Sequence, residues 1–147
     1  MPLPLTITET IVPEDEAVIL DRLKDFNLET FGRSDKRDLF IPLHDDAGAV
    51  IGGLVGYTGR GWLYTAMLFV PETLRGQGLA SRMLGMAEDE ARRRGCIGAY
   101  IDTMNPQALR LYLANSYRVI GSLQHLEGGH AVTWLEKRFP PGDTSGE

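Results

Sequence analysis

Apolar residues along this chain recur at two periods, and the switches between them divide it into elements. Residues 6–12, Thr-Ile-Thr-Glu-Thr-Ile-Val, alternate polar and β-branched positions, which predicts a strand with one buried face, and Pro13 ends the run. Beyond it the period lengthens. Ala17, Val18, Leu20, Leu23, Phe26 and Leu28 fall near helical spacing, and Glu14, Asp15 and Glu16 stand in the first turn, where the helix dipole favours acids, so a helix is predicted over 14–28. Residues 27–36 are polar and turn-rich, interrupted by Phe31 and Gly32, and predict an irregular or briefly helical connection.

From Leu39 the two-residue period returns. Extended runs at 39–44, 49–58 and 62–70 are separated by turns at 45–48 and 59–61, an antiparallel meander, since such short Gly/Asp turns join only antiparallel neighbours. Gly52, Gly53 and Gly56 weaken its middle strand and mark a bulge or the close approach of another backbone. After Pro71 and a glycine-rich turn, Leu79, Met83, Leu84, Ala87 and Ala91 share one helical face over 79–94, and Gly95 closes the helix. Glu88/Arg92, Asp89/Arg93 and Glu90/Arg94 are acid-before-base pairs at the spacing that supports it. A buried strand is predicted over 96–103. Asn105 then caps a helix with Pro106 at its first position, running to about residue 115. Strands at 117–124 and 131–139, joined by a loop at 126–129, close the sheet, and 140–147 reads as a frayed tail. The predicted fold is mixed α/β: one domain over 1–139, with a central, mostly antiparallel sheet flanked by helices.

Composition narrows the function. With 147 residues, 43% apolar and 24% charged, the chain has the make-up of a soluble globular domain. It has no leader-like N-terminus and no run of roughly 18 apolar residues, so the expected location is the cytoplasm, away from any membrane. The single cysteine, Cys96, has no cysteine partner and no Cys/His cluster around it, so no metal site is predicted. A net charge of -5 argues against nucleic acid as a partner and mildly favours a cationic small substrate.

The candidate chemistry sits between the third meander strand and the following helix. Free N–H groups and the positive dipole end of a helix N-terminus make an anion site of the loop Arg75-Gly76-Gln77-Gly78-Leu79-Ala80. Glycine at 76 and 78 lets a phosphate approach the backbone, Ala80 keeps the next turn small, and Arg75 adds a positive charge. A pyrophosphate-bearing ligand is expected. A dinucleotide site competes, because Asp102 stands near where a ribose-binding acid would, but Ser81 replaces the third glycine and the chain is too short for two nucleotide-binding halves. A Walker-type site fails for want of Gly-Lys-Ser/Thr.

With these residues the chain resembles the GNAT superfamily of acyl-CoA N-acyltransferases, over about residues 50–139. The first match is the run from Val70 to Ser81, in which Arg75, Gly78 and Ala80 meet the family's pyrophosphate-wrapping pattern; the second is Asn105 followed by Ala108, Leu111, Tyr112, Ser116 and Tyr117. Where the family commonly has glycine, this chain has Ser116, and Asn115 is expected to take the left-handed cap in its place. The resemblance implies acetyl-CoA as acyl donor, held by Leu68, Phe69, Val70, Arg75, Gly76, Gln77, Gly78, Leu79, Ala80, Ser81 and Asn105. It also implies that the strand ending at 68–70 pairs with the pantetheine arm, and that a splay between it and the 96–103 strand opens the slot.

The activity so implied is acetyl transfer to the primary amine of a small molecule or peptide, by direct attack in a ternary complex. Tyr112 is the candidate acid for the leaving thiolate, and a backbone N–H of Leu68 or Val70 the donor to the carbonyl oxygen. The base is left among Asp102, Glu29, His44, His125, His130 and water. A non-catalytic acyl-CoA sensor and a dinucleotide-binding oxidoreductase are the competing functions. Many relatives pair their sheets, which makes a homodimer an expectation.

Overall fold

The computed structural model describes residues 1–141, so most of the predicted tail, 142–147, lies outside the described residues. The chain forms two compact units, Met1–Ser34 and the remainder from Asp35 onward.

The first unit is a helix, α1 (Pro13–Phe31), preceded by an extended segment. Proline stands in its first turn ahead of Glu14, Asp15 and Glu16, and Gly32, at φ 74, stops it with an N–H bond to Leu28 O at 3.0 Å. The helix therefore runs on through 27–31, the helical form of the irregular or briefly helical connection expected there, because nothing before Gly32 forces the backbone out of it. No strand forms at 6–12. Alternation shows which face a strand would bury, but a strand exists only where a neighbour takes up its N–H and C=O groups, and Thr10 N instead bonds Thr8 Oγ1 at 3.1 Å.

The second unit is built on six strands: β1 (Arg37–His44), β2 (Val50–Gly59), β3 (Trp62–Phe69), β4 (Gly98–Thr103), β5 (Arg118–Leu126) and β6 (His130–Arg138). They lie in the order β1-β2-β3-β4-β6-β5, and every pair is antiparallel except β3 with β4. The parallel pair needs a crossover, which α2 (Leu79–Arg93) supplies; α3 (Pro106–Ala114) follows β4. Leu39, Leu54, Leu63, Ala99, Ile101 and Leu135 point from one sheet face onto Met83, Leu84, Ala87 and Ala91 of α2, together with Tyr112 and Tyr117. The opposite face carries Tyr57, Trp62, Tyr64, Tyr100 and Asp102, in keeping with the two-residue alternation of their strands.

The ion pairs of α2 differ from the expected set. Arg94 pairs with Glu90 four residues back, but Arg92 takes Asp89 and Arg93 takes Glu90 at a spacing of three. Glu88 lies on the core face of the helix, between Leu84 and Ala91, and turns to Lys137 of β6 instead. No helix among the described residues is long and apolar enough to cross a membrane.

Candidate active site

Two irregularities open the sheet at the end of β3. The β2–β3 ladder slips between Val55 and Gly56: Gly56 faces Thr65 while Val55 faces Met67, which leaves Ala66 as an extra residue. Beyond that bulge the parallel pairing also stops. Its last partners are Thr65 and Ile101, yet β3 continues to Phe69 and β4 to Thr103. The expected splay is therefore present. The glycines of β2 serve both readings given to them, since a Cβ on Gly52 would stand 2.5 Å from Phe69 O and one on Gly56 would strike Tyr64 O.

Below the splay, the chain leaves β3 at Pro71, makes a 3-10 turn at Glu72–Leu74 and enters the glycine loop. Arg75 Nε donates to Val70 O at 3.0 Å, which ties the loop back to the end of β3. Gly76 and Gly78 adopt φ of 80 and 75, and a Cβ at either would meet no other part of the chain, so within the protein it is the left-handed backbone that calls for glycine. Gly78 caps α2 with no side-chain bond, and the first N–H to enter the helical ladder is that of Arg82, bonded to Gly78 O at 3.0 Å. The N–H groups of Leu79, Ala80 and Ser81 are left at the positive end of the helix, a donor set suited to a phosphate oxygen. Gln77 is exposed on the loop.

The opposite wall is α3. Asn105 Oδ1 accepts from Gln107 N at 2.8 Å and so caps the helix as its position predicts, with Pro106 in the first turn. At the far end Asn115 Nδ2 donates to Leu111 O at 2.8 Å and to Ser81 Oγ at 3.1 Å, fixing α3 to the first turn of α2. Ser81 thus takes a bond from Asn115 through its hydroxyl oxygen, while its backbone N–H stays among the first-turn donors of α2. Asn115 itself is not left-handed, as had been expected. Ser116 takes φ 72, and its N–H bonds Leu113 O at 3.1 Å, because the cap is needed one residue later, where the chain turns into Tyr117.

Between these walls lies a cleft of about 310 Å³. Leu68, Phe69, Val70, Arg75, Ala80, Asn105 and Tyr112, all predicted site residues, line it. Gly76, Gln77, Gly78, Leu79 and Ser81, predicted with them, lie on the loop and first turn of α2 that lead into it and do not line it. Gln107, Ala108 and Leu111 also line it. Ala108 and Leu111 were visible as part of the family pattern, but nothing in spacing marked Gln107, which lines the cleft because it is the second residue of α3.

Tyr112 is buried, and its hydroxyl pKa is pushed up to about 12, first by that burial and then by the Asp102 carboxylate. Asp102 accepts a hydrogen bond from Tyr64 Oη at 2.7 Å. Asp102 itself does not line the cleft, and of the other candidate bases His44 ends β1, His125 lies within β5 and His130 begins β6, none of them lining it either. Glu29 belongs to α1, in the first unit. Burial raises the Cys96 thiol pKa, which disfavours a thiolate nucleophile. Among the described residues no group of three His, Cys, Asp or Glu side chains is placed to hold a metal ion.

A cleft with a splayed strand on one side and an uncapped helix N-terminus on the other matches a family signature in sequence as well: the Acetyltransferase (GNAT) family matches residues 6–116. The chain belongs to the GNAT acetyltransferase family. Acetyltransferase Atu2258 of Agrobacterium fabrum is 60% identical over 126 residues, 86% of this chain and 92% of that protein. Blasticidin-S acetyltransferase of Streptomyces morookaense is 36% identical over 101 residues, 68% of this chain and 65% of that protein. Among solved GNAT structures, a chain of Agrobacterium tumefaciens assigned as an acetyltransferase superposes with a TM-score of 0.90 at 55% identity, covering 93% of this chain and 100% of its own. A streptothricin acetyltransferase assignment from Bacillus anthracis, solved with acetyl coenzyme A, shares the fold at a TM-score of 0.59 and 16% identity, over 74% of this chain and 65% of its own.

Proposed function

We propose that this GNAT protein moves acetyl from acetyl-CoA to a primary amine of a small molecule or peptide, by direct attack in a ternary complex. One observation carries the reading: the cleft joins the open end of β3, the uncapped N-terminus of α2 and the hydroxyl-bearing side chain of Tyr112. The residues fit the donor. Free amides of the first turn of α2, with Arg75 beside them, suit a pyrophosphate, and the stretch at 68–70, paired with β2 on one side but with no strand partner on its β4 side, offers backbone groups to the amide-bearing arm behind it. Acetyl-CoA, bound there, supplies the activated acyl group.

Tyr112 acts on the leaving side. A hydroxyl with a pKa of about 12 stays protonated at neutral pH and donates to the sulfur as negative charge develops. A thiol titrates near 8.5, so net loss of the Tyr112 proton to sulfur would run uphill. Tyr112 therefore stabilises the departing sulfur by hydrogen bonding and passes on a proton only as it gains another. The proton that finally rests on sulfur is the one shed by the attacking nitrogen.

Free thiol released from acetyl-CoA is the test, with polyamines, aminoglycosides, amino acids, peptides and blasticidin S as acceptors. Turnover with at least one amine is expected. Tight CoA binding without turnover across the panel would favour a sensor, and stabilisation by NAD but not by CoA would favour the oxidoreductase. The same reading includes a cytoplasmic location and a homodimer. The dimer is supported by β5, an edge strand that exposes Val119, Ile120 and Leu123 and that sedimentation would find paired.

A further inference from the structure

The splay at the end of β3 and β4 brings the cofactor cleft close to a second set of groups. Asp102 is the first β4 residue past the last β3–β4 pair, and its side chain lies on the sheet face away from α2. There Tyr64 Oη donates to its Oδ1 at 2.7 Å. The Tyr64 ring stacks on Tyr100 at 4.9 Å and 24°, and Tyr57 meets Tyr64 edge-on at 5.5 Å. Trp134 stands directly opposite Asp102 in the β4–β6 ladder. A half-buried carboxylate is thus set among aromatic rings, and among the described residues it has one hydrogen bond and no cationic partner. Among the described residues of this unit, every other carboxylate equally withdrawn from water, Glu88, Glu90 and Glu136, is ion-paired.

A carboxylate removed from water without a cation is costly, and aromatic faces around it favour an ammonium over a neutral group. Asp102 is also near enough to raise the pKa of Tyr112 in the cleft. We propose that Asp102, held in place by Tyr64, is the acceptor subsite: it takes the amine substrate in its ammonium form, at the open end of the β3–β4 splay across from Tyr112, and the nitrogen attacks only after it has given one proton to solvent. The subsite rests on the acetyl-transfer reading above and names the class of acceptor, a cationic amine. Asp102 is a binding residue here and Tyr64 a positioning residue.

The test compares two nucleophiles in the full-length protein: spermidine, which is charged at neutral pH, and hydroxylamine, which is not. In Asp102→Asn, kcat/KM for spermidine should fall by about thirtyfold or more, mostly through KM, because a charge-assisted contact is lost. The value for hydroxylamine should change less than threefold, and so should KM for acetyl-CoA. Tyr64→Phe, which keeps the carboxylate but frees it, should cost spermidine a smaller factor, three- to tenfold, and leave hydroxylamine alone. Equal losses for both nucleophiles, or no loss for spermidine, would overturn the subsite. Should the wild type acetylate neither, the transfer reading is decided separately by the wider acceptor panel. Calorimetry with spermidine in the presence of CoA then decides: binding to wild type but not to Asp102→Asn supports the subsite, and any other result overturns it.

Discussion

Lys137 Nζ lies 2.6 Å from Glu88 Oε1, joining β6, the last strand in chain order, to the core face of α2. The Glu88 side chain is only 4% exposed, and its second oxygen accepts from Tyr117 Oη at 3.1 Å. Tyr117 in turn packs on Tyr112, ring centroids 6.0 Å apart, and its N–H bonds Tyr112 O at 3.0 Å. The pair thus supports the tyrosine of the cleft from behind. Glu88→Ala would strand Lys137 and the Tyr117 hydroxyl together, at a cost of about 3 kcal/mol; Lys137 keeps some solvent, which places the loss at the lower end for a broken buried pair. Urea unfolding reads this directly. The double variant Glu88→Leu/Lys137→Leu should recover most of the loss, since an apolar replacement of both partners leaves no charge behind.

Tyr112→Phe keeps the ring in place and removes the hydroxyl. Turnover should fall by about ten- to ten-thousandfold, the range of a lost general-acid contribution, while the affinity for CoA stays nearly unchanged. Steady-state kinetics with the best acceptor checks both. Full activity would take Tyr112 out of the mechanism.

The tyrosines also set an alkaline limit on stability. Tyr64 and Tyr112 are each raised to about 12, Tyr64 first by its bond to Asp102 and Tyr112 first by burial. The unfolded chain, with ordinary tyrosines near 10, releases these protons earlier than the folded one. Between pH 10 and 12 the folded state therefore holds more protons, so its stability falls as pH rises. Circular dichroism followed through that window should show unfolding, and Tyr64→Phe should soften it. Stability below pH 10 should not respond to these groups.

Most elements of the second unit were legible because each carries its own signal. The crossover helix shows in Leu84, Ala87 and Ala91, its end in Gly95, and the start of α3 in Asn105 and Pro106. The cleft was legible for the same reason: Arg75, Gly78, Ala80, Asn105 and Tyr112 lie in two short runs whose order is itself a pattern. Three features were not. The strand at 6–12 failed because pairing is a property of a neighbour, which alternation cannot report. Glu88 was read as the partner of Arg92 four residues on, since spacing along a helix says nothing of a lysine in a strand 49 residues on. The environment of Asp102 was hidden likewise, as Tyr64 is separated from it by 38 residues.

Gly78→Ala tests the loop apart from the chemistry. Its φ of 75 asks for a left-handed residue, and alanine there would cost about 1 kcal/mol in stability even though its methyl meets nothing. Relaxation of the loop would also turn the first-turn amides of α2. KM for acetyl-CoA should therefore rise by more than that stability loss accounts for, with KM for the acceptor unmoved.

Ser116→Gly runs the other way. Ser116 holds φ 72 at the end of α3, a conformation that costs an L residue about 1–2 kcal/mol and glycine almost nothing. Glycine gives back part of that gain through the greater freedom of the unfolded chain, about 0.4–1 kcal/mol. The net expectation is stabilisation by about 0.5–1 kcal/mol, seen as a higher denaturant midpoint at constant slope. The backbone bonds from Ser116 N to Leu113 O and from Tyr117 N to Tyr112 O, both needed to seat Tyr112, are untouched by the change. Acetyl transfer should therefore be preserved, and a loss of activity in a stabilised variant would show that the serine hydroxyl has a part in the site.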